Sequence, residues 1–225
     1  MNINYIVASV GDWNKKQFYE RSKNLHGEWF FCDNPNSLND LLDKVQPRYI
    51  FFPHWRWIVP NSVLESSECV CFHMTDVPYG RGGSPLQNLI IRGHKTTVLT
   101  ALRMDEGLDS GPVYFKKSFS LHGTAEAIYQ RAAELSWDMM SQIVSNEQSP
   151  VAQVGEVVEF KRRKPEQSQI PSSLAAEQIY DYIRMLDAPG YPNSFIEKSG
   201  YIFEFTDAAF DTGELTANVR IRVKD

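Results

Sequence analysis

Cysteine is scarce in this chain, limited to Cys32, Cys69 and Cys71. An odd, sparse set with no repeated spacing builds neither a disulfide framework nor a zinc site, so no metal is expected. Cys69 and Cys71, two apart in a strand-like run, point toward one face, and all three read as buried thiols in a reducing compartment. No apolar run approaches the ~18 residues of a membrane span. Residues 1–10 lack a basic leader and a cleavage pattern, which argues against a secretory signal. The expected location is the cytoplasm, away from any membrane. An excess of basic residues is missing too: 23 Lys and Arg face 28 Asp and Glu, for a net charge of −5. Sequence-independent nucleic-acid binding draws on clustered Lys and Arg, so this balance counts against a nucleic-acid partner without excluding a local basic patch. There is no internal repeat and no low-complexity tract.

What is present is ordinary globular material. The 225 residues, 42% hydrophobic, suffice for one α/β domain with a modest extension or for two small domains. Short apolar runs at 3–10, 29–32, 49–52, 68–73 and 96–103 alternate with helical or turn-rich stretches at 14–22 and 37–45. Ser37 with Asp40 resembles a capping box for the second helix. Such alternation predicts right-handed crossovers and a mainly parallel sheet flanked by helices. A further strand is predicted at 111–118. Thr124 then caps a helix whose Ile128, Ala132, Leu135, Met139 and Ile143 form one apolar stripe. Composition shifts at the polar linker 146–150. Beyond it come a basic run, Lys161, Arg162, Arg163 and Lys164, and a helix opened by Ser172 and Ser173 with Ile179, Ile183 and Leu186 on one face. A turn at 187–192 and strands at 201–205 and 217–223 follow. Residues 1–150 are expected to form the main α/β domain and 151–225 a small α+β extension.

Three clusters carry potential chemistry. In Phe72-His73-Met74-Thr75-Asp76-Val77-Pro78-Tyr79-Gly80-Arg81-Gly82-Gly83-Ser84-Pro85 a strand ends at a histidine and a glycine-rich loop follows. Open α/β sheets bind ligands beyond the carboxyl ends of their strands, which is where His73 stands. The loop has neither the dinucleotide fingerprint nor the P-loop pattern. His26, His54, His94 and His122 have no comparable context. The second cluster, Met104-Asp105-Glu106-Gly107-Leu108-Asp109-Ser110-Gly111-Pro112, is either a solvated turn or the source of a carboxylate that orients and charges an imidazole. The two clusters end successive predicted strands, so they can meet. In the third, Pro53-His54-Trp55-Arg56-Trp57, the tryptophans either stack on a flat heterocycle or pack as a rim.

In this order and spacing the clusters resemble the folate-dependent formyltransferase family, strongly over residues 45–145 and only as a strand–helix pattern before that. His73, Pro78, Arg81 and Gly82 fit its Asn-x-His…Pro…Arg-Gly loop. Leu108-Asp109-Ser110-Gly111 fit its Leu-Asp-x-Gly element. The resemblance implies a Rossmann-like domain and 10-formyltetrahydrofolate as formyl donor. It makes His73 the catalytic histidine and Asp109 the acid that raises its pKa. Trp55, Arg56 and Trp57 match the segment that meets the pterin, Asp105, Glu106, Gly107 and Leu108 the loop over it, and Gly83 a further folate contact. One position departs: Cys71 stands where the family has an asparagine that steadies the formyl oxygen. A thiol is a poor donor, so Thr75, Gln87 or backbone N–H groups of the loop are the candidate substitutes.

The acceptor amine is read from what is missing. The tail is shorter and less basic than that of the tRNA-formylating branch. Ser9-Val10-Gly11-Asp12-Trp13 also lacks the phosphate loop of the glycinamide ribonucleotide branch. The closest likeness is then to the sugar-nucleotide N-formyltransferases. The expected substrate is an amino-deoxysugar on a nucleotide carrier, used in polysaccharide building, with the basic run meeting a diphosphate or simply solvated. A homodimer is compatible with this. The alternatives are formylation of methionyl-tRNA or another amine, and a folate- or nucleotide-binding protein with weakened catalysis.

Overall fold

The structure, a computed structural model, describes residues 3–224; Met1 and Asn2, within the segment read above for a leader, and Asp225 lie outside the described residues. Two compact units are present. Among the described residues the first comprises 3–82, Thr97–Phe119 and Tyr129–Glu159, the second Gly83–Thr96, Ser120–Ile128 and 160–224.

The first unit is built on strands β1 (Asn4–Ser9), β2 (Glu28–Cys32), β3 (Pro47–His54) and β4 (Glu68–His73). Helices α1 (Asp12–Arg21), α2 (Pro35–Leu42) and α3 (Asn61–Ser66) connect them in turn. After β5 (Tyr79–Gly82) and α4 (Pro85–Ile91) come β6 (Thr96–Arg103), β7 (Val113–Ser120) and the long α5 (Ala125–Asn146). The sheet order is β2-β1-β3-β4-β6-β7. The pairs β1–β2, β1–β3 and β3–β4 are parallel, whereas β4–β6 is antiparallel, with His73 opposite Thr100 and Val70 opposite Arg103. The architecture is the expected Rossmann-like, mainly parallel sheet. The strand order switches sides at β1, with β2 added on one flank and β3 on the other, so the crevice where such sheets bind ligands opens at the carboxyl ends of β1 and β3 and their neighbour β4.

Successive side chains on these strands point to opposite faces, and both faces are buried, as a parallel sheet between helices requires. On one face Ile6, Ala8, Ile50, Phe52 and Cys69 pack with Leu38 of α2 and Val63 of α3. On the other, the Trp29 ring lies 4.6 Å from Tyr5, 5.9 Å from Phe51 and 5.6 Å from Trp137 of α5. Each such aromatic pair adds about 0.5–1.5 kcal/mol beyond the area it buries. The α5 stripe is wider than its apolar spacing suggests, because Ala133, Ser136, Trp137 and Met140 are buried alongside Ile128, Ala132, Met139 and Ile143. Thr124 does cap this helix, its hydroxyl accepting from the Ala127 N–H at 3.3 Å. The second helix starts earlier than Ser37. Asn34 is its N-cap, accepting from the Ser37 N–H at 3.0 Å, because Pro35 suits the first helical position, where no N–H is needed.

The second unit contains α4, α6 (Ala176–Arg184) and an antiparallel sheet of β9 (Ser194–Lys198), β10 (Tyr201–Asp211) and β11 (Glu214–Val223), in the order β11-β10-β9. The strand β9 was not legible in the turn-rich stretch that precedes it. Short β8 (Val158–Phe160) pairs with β5. The tail carries the expected C-terminal extension, an antiparallel sheet with α6. It takes up α4 and residues 120–128 through buried polar contacts. Gln87 Nε2 donates to Met185 O at 3.0 Å, Arg184 Nη1 to Leu121 O at 2.6 Å, and the Glu126 N–H to Asp187 O at 3.0 Å.

His54, ending β3, lies edge-on to the rings of Tyr129 at 4.9 Å and Trp13 at 5.8 Å. Burial, with the nearby Arg56 charge second, pushes its pKa down from 6.5 to about 4. Since the folded value is the lower one, the unfolded chain takes up the proton first as pH falls. Stability is therefore complete above pH 6.5 and is lost on the way to pH 4. Urea unfolding should show a loss of no more than about 3 kcal/mol from this group, and His54→Gln should flatten that segment of the pH profile.

Candidate active site

The strand β4 presents Cys69, Cys71 and His73 to one face, and its carboxyl end releases the chain into the loop that returns as β5. The threonines of β6 hold that loop. Thr97 Oγ1 donates to Met74 O at 2.9 Å and Thr100 Oγ1 to Thr75 O at 2.7 Å. His73 is 8% exposed. Its Nε2 lies 2.8 Å from Gly80 O, and its Nδ1 faces Asp109 Oδ2 at 3.5 Å. The ring can donate from either nitrogen, and an oxygen waits at each.

Asp109 reaches this position from a loop that doubles back along β4. Because β6 is antiparallel to β4, the loop leaves the sheet near the start of β4, where the Met104 N–H donates to Cys69 O at 2.8 Å. The two clusters therefore do not share one end of the sheet, as the alternation suggested; the loop closes the distance. Arg103 N–H donates to Pro112 O at 2.8 Å and shuts its neck. Gly111 lies so close to the Arg103 carbonyl that a Cβ would collide with it. Asp105 Oδ1 accepts from the Gly107 N–H at 3.0 Å and from Ser110 Oγ at 2.6 Å, an internal brace. Glu106 and Leu108 are exposed, Leu108 by 62%. Asp109 has a positive φ of 51°, uncommon outside glycine. That conformation turns its carboxylate inward, where Oδ2 accepts from the Gly82 N–H at 2.9 Å and Oδ1 lies 3.9 Å from Cys71 Sγ.

Cys71 thus joins His73 and Asp109 in one group. Burial, followed by the Asp109 charge, pushes its thiol well above its ordinary value. Thr75, a candidate to replace the missing asparagine, spends its hydroxyl on Gly80 O at 3.1 Å, and Gln87 donates to Met185 in the second unit. Both side chains are thus already engaged within the protein. Trp55, Cys71 and Met104 pack against the same apolar cluster, which sets the third sequence motif beside the other two. The Trp55 ring meets Trp57 at 4.8 Å and 63°, while Arg56 and Trp57 are exposed. Trp55 is thus half core and Trp57 is rim. Gly83 belongs to the second unit; its N–H donates to Phe160 O at 2.9 Å, and Arg162 leaves no space for a Cβ. Among the described residues no group of three or more His, Cys, Asp and Glu is placed to hold a metal ion, and no helix is long and apolar enough to cross a membrane.

The chain has relatives among known proteins. The family model described as "Formyl transferase" matches residues 32–144, and that described as "Methionyl-tRNA formyltransferase, C-terminal domain" matches residues 165–222. The chain belongs to the formyl transferase family. It is similar over 98% of its length, and 99% of the other's, to a solved methionyl-tRNA formyltransferase from Clostridium thermocellum, with 42% identity and a TM-score of 0.93. The methionyl-tRNA formyltransferase of Rickettsia massiliae (strain Mtu5) is 28% identical over 182 residues, 78% of this chain and 60% of that protein. The chain thus spans about 60% of the length of the curated relatives it matches first. A 4-N formyltransferase from Francisella tularensis, 17% identical with a TM-score of 0.63, shares the fold alone.

These findings overturn the expected acceptor. A short tail pointed to a nucleotide-linked amino sugar, yet a protein with the same tail, matched over nearly its whole length at 42% identity, carries a methionyl-tRNA formyltransferase name. Tail length therefore does not separate the branches. The expectation that nucleic acid is an unlikely partner falls with it, because a net charge of −5 is a sum over the chain and says nothing about one surface. The chemistry of Cys71 can be checked directly. At neutral pH its thiol stays protonated, so iodoacetamide should label it far more slowly in the native protein than after unfolding, as read by mass spectrometry.

Proposed function

We propose that this chain transfers the formyl group of 10-formyltetrahydrofolate to the amine of methionyl-tRNA. The carrying observation is the His73–Asp109 pair, 3.5 Å apart on one face of β4, in a chain so similar along its length to a methionyl-tRNA formyltransferase. The match of residues 165–222 to the C-terminal domain of such enzymes supports the same acceptor.

In this reading His73 and Asp109 are the catalytic residues. With Nδ1 kept on Asp109, His73 exchanges the Gly80 carbonyl for the amine at Nε2 and takes its proton as the amine nitrogen bonds to the formyl carbon. It returns a proton to the folate nitrogen as the old carbon–nitrogen bond breaks. Proton relay of this kind is worth about 10²–10⁴ in rate, and holding two reactants together adds the advantage of proximity. Asp109 keeps the imidazole aimed and balances its charge. The half-packed Trp55, the exposed Trp57 and Arg56, and the loop residues Asp105, Glu106, Gly107 and Leu108 offer flat apolar edges and carboxylates, which suit a pterin bearing an amino group. A second reading, a folate- or nucleotide-binding protein with weakened catalysis, draws on Cys71, since losing one donor to a developing oxyanion typically costs about 10²–10³ in rate.

Incubation with formyltetrahydrofolate and charged initiator tRNA, followed by mass spectrometry of the released amino acid, should give formylmethionine. His73→Ala should lower the rate by about 10²-fold or more. Cys71→Asn should raise kcat by about tenfold or more. Folate binding without turnover in both the native chain and Cys71→Asn would leave only the second reading.

A further inference from the structure

The segment between α5 and β8 faces solvent: Val151 is 70% and Val154 89% exposed. One side chain in it turns inward. Gln153 Oε1 accepts from both Arg81 Nε at 3.1 Å and Arg81 Nη2 at 2.8 Å. Its Nε2 donates to Asp109 O at 2.9 Å and to Gly111 O at 2.8 Å. All these bonds lie within the first unit. They use two donors and two acceptor positions, the full capacity of a primary amide. They also settle its orientation, since the flipped amide would set its NH₂ against a guanidinium and its oxygen against two carbonyls.

The partners of Gln153 adjoin those of His73. Gly80, whose carbonyl faces one ring nitrogen, precedes Arg81 in β5. Asp109, whose carboxylate faces the other, is held by its own backbone carbonyl in the strained conformation described above. Gly82, which donates to that carboxylate, follows Arg81. One amide therefore fastens together the two segments that address the imidazole. The connector is itself anchored on both sides of the glutamine. Val151 and Val113 exchange backbone bonds of 2.8 and 2.7 Å, and Val158 N–H donates to Pro78 O at 3.1 Å.

We propose that Gln153 is a positioning residue for the formyl transfer: it fixes the Asp109 backbone against β5, so that the carboxylate stays between the Gly82 N–H and His73. The catalytic consequence rests on the proposed transfer; the positioning does not. Neither a glutamate, which cannot donate to the two carbonyls, nor a leucine of similar size, which can do nothing for either side, should replace it.

The test uses the full chain with Gln153→Leu and Gln153→Glu. Amide hydrogen exchange should quicken at Gly82 and over residues 105–111 in both variants, while core amides keep native protection. In the transfer assay kcat should fall by about tenfold or more, with KM for the acceptor within about twofold, since the segment that loosens carries Asp109 and the pterin-facing residues and not the acceptor's contacts. The acid limb of the kcat–pH profile should also move, which a general loss of stability would not cause. Should Gln153→Leu fail to fold, Gln153→Glu alone decides, because it keeps the bond to Arg81. Unchanged exchange at Gly82 and residues 105–111 would overturn the proposal, as would native kcat in a variant whose exchange had quickened. If the native chain transfers no formyl group, the exchange result still decides whether Gln153 holds Asp109, and only the functional reading is lost.

Discussion

His73 ends a strand with an acceptor oxygen on each side, and both come from elsewhere in the chain. Gly80 O arrives on the loop that β4 itself releases, whereas Asp109 arrives on a loop that leaves from the opposite end of the same strand. An imidazole aimed in this way is useful only while both loops keep their places, and a buried ring cannot exchange a lost partner for water. Much of the surrounding structure answers that demand. The β6 threonines hold the first loop, Arg103 and Pro112 close the second, and the Asp105 carboxylate braces it from inside.

The fold was legible where the periodicities were strong. Alternating apolar runs announced the parallel strands, and the stripe on α5 announced its buried side. Boundaries depended on finer chemistry. Both Asn34 and Ser37 are good capping residues, and only the proline between them decides for the first. The strand β9 was hidden because it follows a Pro- and Gly-rich turn and is too short to show alternation. The division of the chain into units was also hidden, since the tail recruits α4 by hydrogen bonds between residues nearly a hundred positions apart, such as Gln87 with Met185.

At the site, His73 and Asp109 were visible because a histidine at a strand end and an acid among glycines are uncommon settings. Their meeting was visible too, although its route was not, because the direction of β6 cannot be read from its residues. Gln153 had no signal at all. It sits in a polar connector, 44 positions from Asp109, and a lone glutamine there reads as solvated. The acceptor amine was illegible for a different reason: overall charge and tail length are totals, whereas recognition is decided on a local surface.

The loop over residues 105–111 separates into a frame and a tip. Asp105, Ser110 and Gly111 are tied to the fold by a carboxylate brace and by a carbonyl that tolerates no extra carbon. Glu106 and Leu108 project outward from it. Drift at the two outward positions leaves the scaffold intact, whereas drift at the three anchors unhooks the Asp109 carboxylate that lies between them. Selection for a new ligand therefore has a place to work, a braced hoop carrying two exchangeable side chains beside the imidazole–carboxylate pair of His73 and Asp109.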